Sequence, residues 1–256
     1  MAGAIAILQH QRKLPMSPRG ILYLIPSALS LTGDCGLSAA TLAIVHELDF
    51  FFVENLRSAR RFLRRIGYQK DFNTVSMFPL NSDDEWNPSA LQFPADRPAP
   101  KVGLLSEAGS PAVADPGAAL VLWAHQQGWR VIPLPGPSAI LLALMASGLN
   151  GQCFFFHGYL PVKREIRRRR IHELEKESRQ RQCTQIIMET PYRNEALLND
   201  LLSQLMPSTL LCIAADLTGD REFIATRPVC AWEHTTPSLK GRPALFLFHA
   251  GALRAG

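Results

Sequence analysis

Between Gly20 and Ser147, short apolar runs alternate with longer amphipathic stretches, and this alternation restricts the folds open to the chain more than any other feature. Ile21–Ile25 and Phe50–Val53 read as strands that are apolar on both faces, so both faces must be covered. Thr74–Phe78, Val102–Ser106 and Val131–Leu134 read as further strands. Helices are predicted over Ser38–His46 (apolar Leu42, Ile44 and Val45), around Ala59–Arg65, over Gly117–Gln127 and over Ser138–Ser147. The Pro-, Asp- and Asn-rich stretch Asn81–Pro100 reads as a loop. Strands separated by helices predict an α/β fold with a mostly parallel N-terminal sheet covered on both sides.

The pattern changes after Gly151. Cys153–Phe156, Gln185–Met188, Leu210–Ala214, Glu222–Ala225, Val229–Trp232 and Ala244–Phe248 read as strands, with helices over Glu165–Gln180 and Glu195–Leu205. Strands now outnumber helices, which favours a mixed C-terminal sheet. The expected division is an α/β domain over 20–150 and a second over 151–250. A chain of 256 residues is long enough to give both a core.

Several classes are set aside by what the chain lacks. No apolar run reaches the roughly 18 residues of a membrane-spanning helix. The N-terminal stretch does not run from basic to apolar as an export signal does. The five cysteines are scattered without C-x-x-C, and the seven histidines form neither H-x-x-H nor H-E-x-x-H. Hence no disulfide framework and no metal are expected, and a reducing cytoplasm fits.

Charge is localised. Between Lys163 and Arg181 lie nine Lys or Arg and four Asp or Glu, an excess equal to the whole chain's +5, so the remainder is neutral. Arg57, Arg60, Arg61, Arg64, Arg65 and Lys70 form a second cluster, free of acids. Such clusters read as a footprint for nucleic acid or as solvated helix faces.

Two segments stand at strand-to-helix turns, where open α/β sheets bind ligands. Ser106-Glu-Ala-Gly-Ser-Pro-Ala-Val-Ala-Asp-Pro-Gly117 is built of small residues that let backbone amides approach a ligand. It matches neither a phosphate loop nor G-x-G-x-x-G. Pro133-Leu-Pro-Gly-Pro-Ser-Ala139 is stiffened by three prolines, and Ser138 is placed to cap the next helix. Composition alone leaves each open to reading as an ordinary turn.

Taken in order with Gly20-Ile-Leu-Tyr-Leu-Ile-Pro26, Glu54-Asn-Leu-Arg57, Phe156-His-Gly-Tyr-Leu-Pro161, Glu189-Thr-Pro-Tyr-Arg193, Asp216-Leu-Thr218 and Lys240-Gly-Arg-Pro-Ala-Leu245, these segments resemble the tetrapyrrole methylase superfamily. Within it the chain is similar to the bacterial enzymes that methylate a ribose 2′-oxygen in small-subunit ribosomal RNA. It departs from them at two places. Their Pro-Thr-Pro-Ile-Gly-Asn turn is here Pro26-Ser-Ala-Leu-Ser-Leu, and their Glu-Asp-Thr-Arg is Glu54-Asn55-Leu56-Arg57. The resemblance implies S-adenosylmethionine as cofactor, bound in a cleft between two α/β domains of a homodimer. It assigns cofactor contacts to Pro26, Glu107, Gly109, Ser110, Val113, Ser138, Ala139, Met188, Cys212, Pro243 and Ala244, with Met188 covering the adenine. Core packing is the alternative for Met188 and Cys212.

Transfer from a sulfonium needs no enzymic nucleophile; the protein must align acceptor, methyl and leaving sulfur. A hydroxyl acceptor benefits from a general base, and Glu54 and Glu189, each just past an apolar strand, are candidates. Ion-pair or helix-end duty is the alternative for both. Arg57, Tyr192 and Arg193 are candidates for contact with acceptor or phosphate. Arg167, Arg168, Arg169 and Arg170 occupy all sides of one helical turn, which predicts an exposed helix suited to RNA. Polyacidic tetrapyrrole precursors would suit it too, so a corrin or porphyrin acceptor stays open, as does a non-catalytic cofactor-binding protein.

Overall fold

A computed structural model describes residues 19–80, 99–232 and 236–251. The N-terminal stretch and residues 81–98 of the expected loop lie outside the described residues. The first sheet contains β1 (Ile21–Ile25), β2 (Phe50–Val53), β3 (Ser76–Pro79), β4 (Lys101–Leu105) and β5 (Arg130–Pro133) in the order β3-β2-β4-β1-β5. Every pair is parallel, as the alternation predicts. All of β2 is buried, because helices cover both faces. On one face α1 (Ala39–Glu47) and α2 (Leu56–Arg65) bring Val45, Ala59 and Leu63 into a core with Ile25, Phe51 and Val53. On the other, α3 (Ala118–Gln126) brings Leu120 and Ala124 to Leu22, Val102 and Leu104.

The second sheet is mixed. It contains β6 (Phe154–Phe156), β7 (Thr184–Glu189), β8 (Leu210–Ala215), β9 (Phe223–Pro228) and β10 (Ala244–His249) in the order β6-β7-β10-β8-β9, with β6 parallel to β7 and the other pairs antiparallel. Helices α5 (Arg164–Arg181) and α6 (Asn194–Gln204) close one face through Ile171, Leu174, Leu197 and Leu201. Helix α4 (Ala139–Ser147) follows β5 in sequence but packs Ala143 and Leu144 against Ile186, Cys212, Leu245 and Leu247 of this sheet.

Two expectations need correction. Val229–Trp232 is a 3-10 turn, not a strand. Pro228 ends β9, and the chain then turns so that the Val229 and Cys230 amides donate to Thr209 and Pro207 carbonyls. The indole of Trp232, fully buried, donates to the Leu211 carbonyl at 3.2 Å. The other correction concerns α5, whose four consecutive arginines are not all exposed. Arg167 is buried, 6% exposed, and donates through Nε and Nη2 to Asp200 of α6 at 2.8 and 2.5 Å. Arg168 and Arg164 join it on the same carboxylate at 2.8 and 3.2 Å. One arginine of the four can face the core because the acid there receives it, with Arg168 and the preceding turn's Arg164 on the same carboxylate.

Burial alone would push the Asp200 carboxyl up, but hydrogen bonds from Arg168, Arg167 and Arg164 together outweigh it and hold the group below the usual carboxylate range. Removing the acid strands Arg167 without a countercharge. Asp200→Ala should therefore cost about 3–5 kcal/mol and lower the denaturant midpoint. Glu173→Ala, facing the outer Arg169 and Arg170, should leave it nearly unchanged. The Asp200 contribution is present at neutral pH and is lost as pH falls through its depressed value, which acid titration of wild type against the variant would reveal.

Candidate active site

Chain connections reverse direction between β1 and β4. From β1 the chain crosses over β4 to β2, and from β4 it crosses over β1 to β5. Such a switch point opens a crevice beyond the strands' carboxyl ends. A cleft of about 330 Å³ lies there. From the first sheet it is lined by Leu29, Glu54, Glu107–Ser110, Val113–Asp115 and Ser138–Ile140. From the second it is lined by Tyr159, Met188–Pro191, Ala214, Leu217 and Pro243–Leu245. The carboxyl ends of β7 and β8 and the amino end of the antiparallel β10 thus face the same space.

The loops forming the walls are braced against one another. Ser27 and Gly109 exchange backbone hydrogen bonds at 2.8 and 3.0 Å, and the Ser27 hydroxyl donates to the Ser106 carbonyl at 2.8 Å. Gly109 has φ +72°, so a side chain there would be strained as well as pressed against Leu29. Ala112 and Ala114 also take positive φ, of 64° and 62°, an uncommon conformation for alanine that fixes Val113 and Asp115 at the wall. The proline-rich loop is held by the Thr41 and Ser110 hydroxyls, which donate to the Pro135 and Pro137 carbonyls. At Gly136 a Cβ would stand 2.6 Å from that of Pro26, so glycine permits the loop leaving β5 to touch the loop leaving β1.

Acidic groups converge on the cleft. Glu54 Oε2 accepts from the Glu107 amide at 2.9 Å, and the Ser58 hydroxyl donates to Glu107 Oε1 at 2.5 Å. Burial, then the charge of Glu54, push the Asp115 carboxyl up to about 6, with Glu107 adding to the shift and a hydrogen bond from Ser106 opposing it. Burial likewise raises the Tyr159 phenol, helped by Asp115, Glu189 and Glu54. Glu189 is 3% exposed. Its Oε1 accepts from the Thr190 amide at 2.7 Å and from Arg193 Nε and Nη2 at 2.9 and 2.6 Å, while its buried Oε2 has no partner.

Of the residues singled out in the sequence, Glu54, Glu107, Gly109, Ser110, Val113, Ser138, Ala139, Met188, Glu189, Pro243 and Ala244 all line this cleft. Ser138 stands at the helix start, but its side chain makes no capping hydrogen bond. Others stand elsewhere. Pro26 props the loop at Gly136, and Cys212 is sealed in the core, with Ala214 of the same strand reaching the cleft. Arg193 is spent on Glu189, Tyr192 is 95% exposed, and Arg57 lies in the first turn of α2 outside the lining. Arg167 to Arg170 lie in α5, outside the lining. Asp115, Tyr159, Thr190 and Leu217 were missed. Asp115 was legible only as part of a helix start.

No family model matches the chain. Among curated proteins, "Ribosomal RNA small subunit methyltransferase I" of Vibrio cholerae serotype O1 is 32% identical over 209 residues, covering 82% of this chain and 69% of that protein. The protein of the same name from Xylella fastidiosa is 31% identical over 203 residues, covering 79% and 70%. This chain belongs to the ribosomal RNA small subunit methyltransferase I family. It is thereby a tetrapyrrole methylase by descent. The departure from the family's Glu-Asp-Thr-Arg at Asn55 now has a structural content. Asn55 caps α2, its Oδ1 accepting from the Arg57 and Ser58 amides at 2.9 and 3.1 Å, as an aspartate there would.

The positive φ of Gly109 makes it the sharpest probe of the cleft. Gly109→Val should abolish S-adenosylmethionine binding in calorimetry and cost about 1–3 kcal/mol of stability, with cooperative melting retained. A variant that binds the cofactor normally would show that the cofactor lies elsewhere.

Proposed function

We propose that the chain transfers a methyl group from S-adenosylmethionine to small-subunit ribosomal RNA, at a ribose 2′-hydroxyl. Family membership supports the reaction class and the RNA acceptor. The observation that carries the reading is the union, at one switch-point cleft, of small-residue loops with a cluster of carboxyl groups. When bound, S-adenosylmethionine supplies an electrophilic methyl group on a positively charged sulfur. Gly109, Ser110, Ala139 and Ala244 are small residues of the cleft wall and leave room for a ligand. The Ser138 hydroxyl, free of capping duty, and the unpartnered Glu189 oxygen are ready to bind a polar ligand. Glu54, Glu107, Asp115 and Glu189 together favour a cationic guest over a neutral one. Two domains with the cleft between them, in a cytoplasmic homodimer, complete the reading. Exposed Leu141 and Met145, one turn apart on α4, support a protein contact. No helix among the described residues is long and apolar enough to cross a membrane.

A ribose hydroxyl must lose its proton as its oxygen takes the methyl group. Glu54 has one oxygen on the Glu107 amide, and Glu189 has one on Arg193. Asp115, raised to about 6, is the carboxyl of the cleft best matched to accept a proton near neutrality and release it afterwards. Tyr159, from the second sheet's side of the cleft, offers a phenol able to orient the acceptor.

With S-adenosylmethionine, the purified chain should add methyl mass to one nucleotide in small ribosomal subunits, or their naked RNA, from a strain lacking the modification. Absence of transfer to both would overturn the reading. The rate should fall as pH drops through about 6, and Asp115→Asn should lower it by about 10²–10⁴ and remove that acidic limb. Stability should move the other way. A carboxyl whose folded value is raised favours folding only while protonated, so wild type loses stability between pH 3.8 and about 6. Asp115→Asn should escape that loss and melt higher at pH 7.

A further inference from the structure

Two helices hold the chain's clustered arginines, and their surroundings differ. On α5 the guanidinium groups are already committed. Arg164, Arg167 and Arg168 converge on Asp200, Arg169 and Arg170 hold Glu173, and Arg181 pairs with Glu177. On α2 no residue is acidic, and Ala59 and Leu63 are buried on its inner side. Arg57, Arg60, Arg61 and Arg64 follow the i, i+3, i+4, i+7 spacing that places side chains on one helix face. All four are exposed. The stripe is about 10 Å long at 1.5 Å per residue.

Among the described residues, the Arg57 and Arg61 side chains have no hydrogen-bond or ion-pair partner. Arg60 and Arg64 lie over the Phe72 ring, 5.7 and 4.2 Å from its centroid, and Phe72 in turn stacks on Tyr68. Arg64 also donates to the Tyr68 carbonyl at 2.6 Å. Stacking orders a guanidinium on its flat face and leaves its edge N–H groups for oxyanions. Arg65, off the stripe, is used inside the protein, donating to the Ser30 and Gly33 carbonyls.

The stripe also starts at the cleft. Glu54, two residues before α2, lines the cleft, and Ser58 in the first turn bonds Glu107 of its wall. A molecule lying along the stripe therefore has one end at the acidic cleft. That suits a long polyanion with one reactive neutral group, because the cleft's carboxylates repel phosphate while the stripe attracts it. An acidic protein surface matches the charge but not the need to send a hydroxyl into the cleft.

We propose that the α2 stripe of Arg57, Arg60, Arg61 and Arg64, rather than the arginine turn of α5, is the track for the phosphate backbone of the RNA substrate. The proposal rests on the ribosomal RNA reading above. Each phosphate neutralised contributes roughly 0.7 to 0.9 to the log–log slope of affinity against salt. Binding of transcribed small-subunit ribosomal RNA should be measured across a salt series for three proteins. These are wild type, an α2 variant carrying Arg57→Gln, Arg60→Gln and Arg61→Gln, and an α5 variant carrying Arg169→Gln and Arg170→Gln. Glutamine keeps the helix propensity of arginine, and cofactor binding and melting serve as checks on folding. The α2 variant should lose roughly 2 to 3 from the slope, and the α5 variant should match wild type. An α2 slope equal to wild type, or a loss confined to the α5 variant, overturns the track. If the triple variant does not fold, Arg61→Gln alone should lose roughly 0.7 to 0.9, and an unchanged slope overturns the proposal. Wild type that binds no RNA at any salt overturns the ribosomal reading itself, a different outcome from a wild type that binds through another surface.

Discussion

The reciprocal hydrogen bonds between Ser27 and Gly109 tie the loop leaving β1 to the loop leaving β4, where the direction of the crossovers reverses. Without that tie the two loops would diverge, since the chain leaves β1 toward one edge of the sheet and β4 toward the other. Ser27 is 1% exposed, and its hydroxyl adds a third bond to Ser106, so the junction is shielded from water. The positive φ angles at Gly109, Ala112 and Ala114 depend on it, because such conformations persist only where surrounding bonds enforce them. The positions of Val113 and Asp115 in the cleft follow from those angles.

Charge is divided by function within a short distance. Carboxyl groups gather in the cleft, where burial and then their mutual repulsion raise Asp115, while the adjoining helix carries guanidinium groups and no acid. Asn55 stands between them, at the cap of α2. It supplies the capping oxygen that an aspartate would supply without adding another negative charge beside Glu54 and Glu107.

Much of this was readable in the amino-acid order, and the failures share a cause. β2 is four aromatic or β-branched residues between polar ends, a composition that pointed to a strand covered on both faces, as found. Val229–Trp232 has the same apolar look, but its conformation is set by Pro228 and by carbonyls of the loop before β8, which no local pattern encodes. The burial of Arg167 depends on Asp200, thirty-three positions away. The cleft loops were legible from their small residues and from the family resemblance. Asp115 was not, because its raised proton affinity comes first from burial and then from the charge of Glu54, both of which exist only once the chain has folded around it. Cys212, assigned to the cofactor by the family resemblance with core packing as the alternative, is buried in the core, and Ala214 two residues on reaches the cleft wall.

In the second sheet the strand made last, β10, sits in the middle, between β7 and β8, and carries Pro243–Leu245 at the cleft. During synthesis from the N-terminus, β6 with β7 and β8 with β9 must wait as two separate ribbons, each with a bare edge. Insertion of β10 zips both at once, and the same event completes the wall of the cleft. A nascent chain is therefore unable to capture the ligand early. Until β10 is in place the inner strand edges are bare and the cleft lacks the wall formed by Pro243–Leu245.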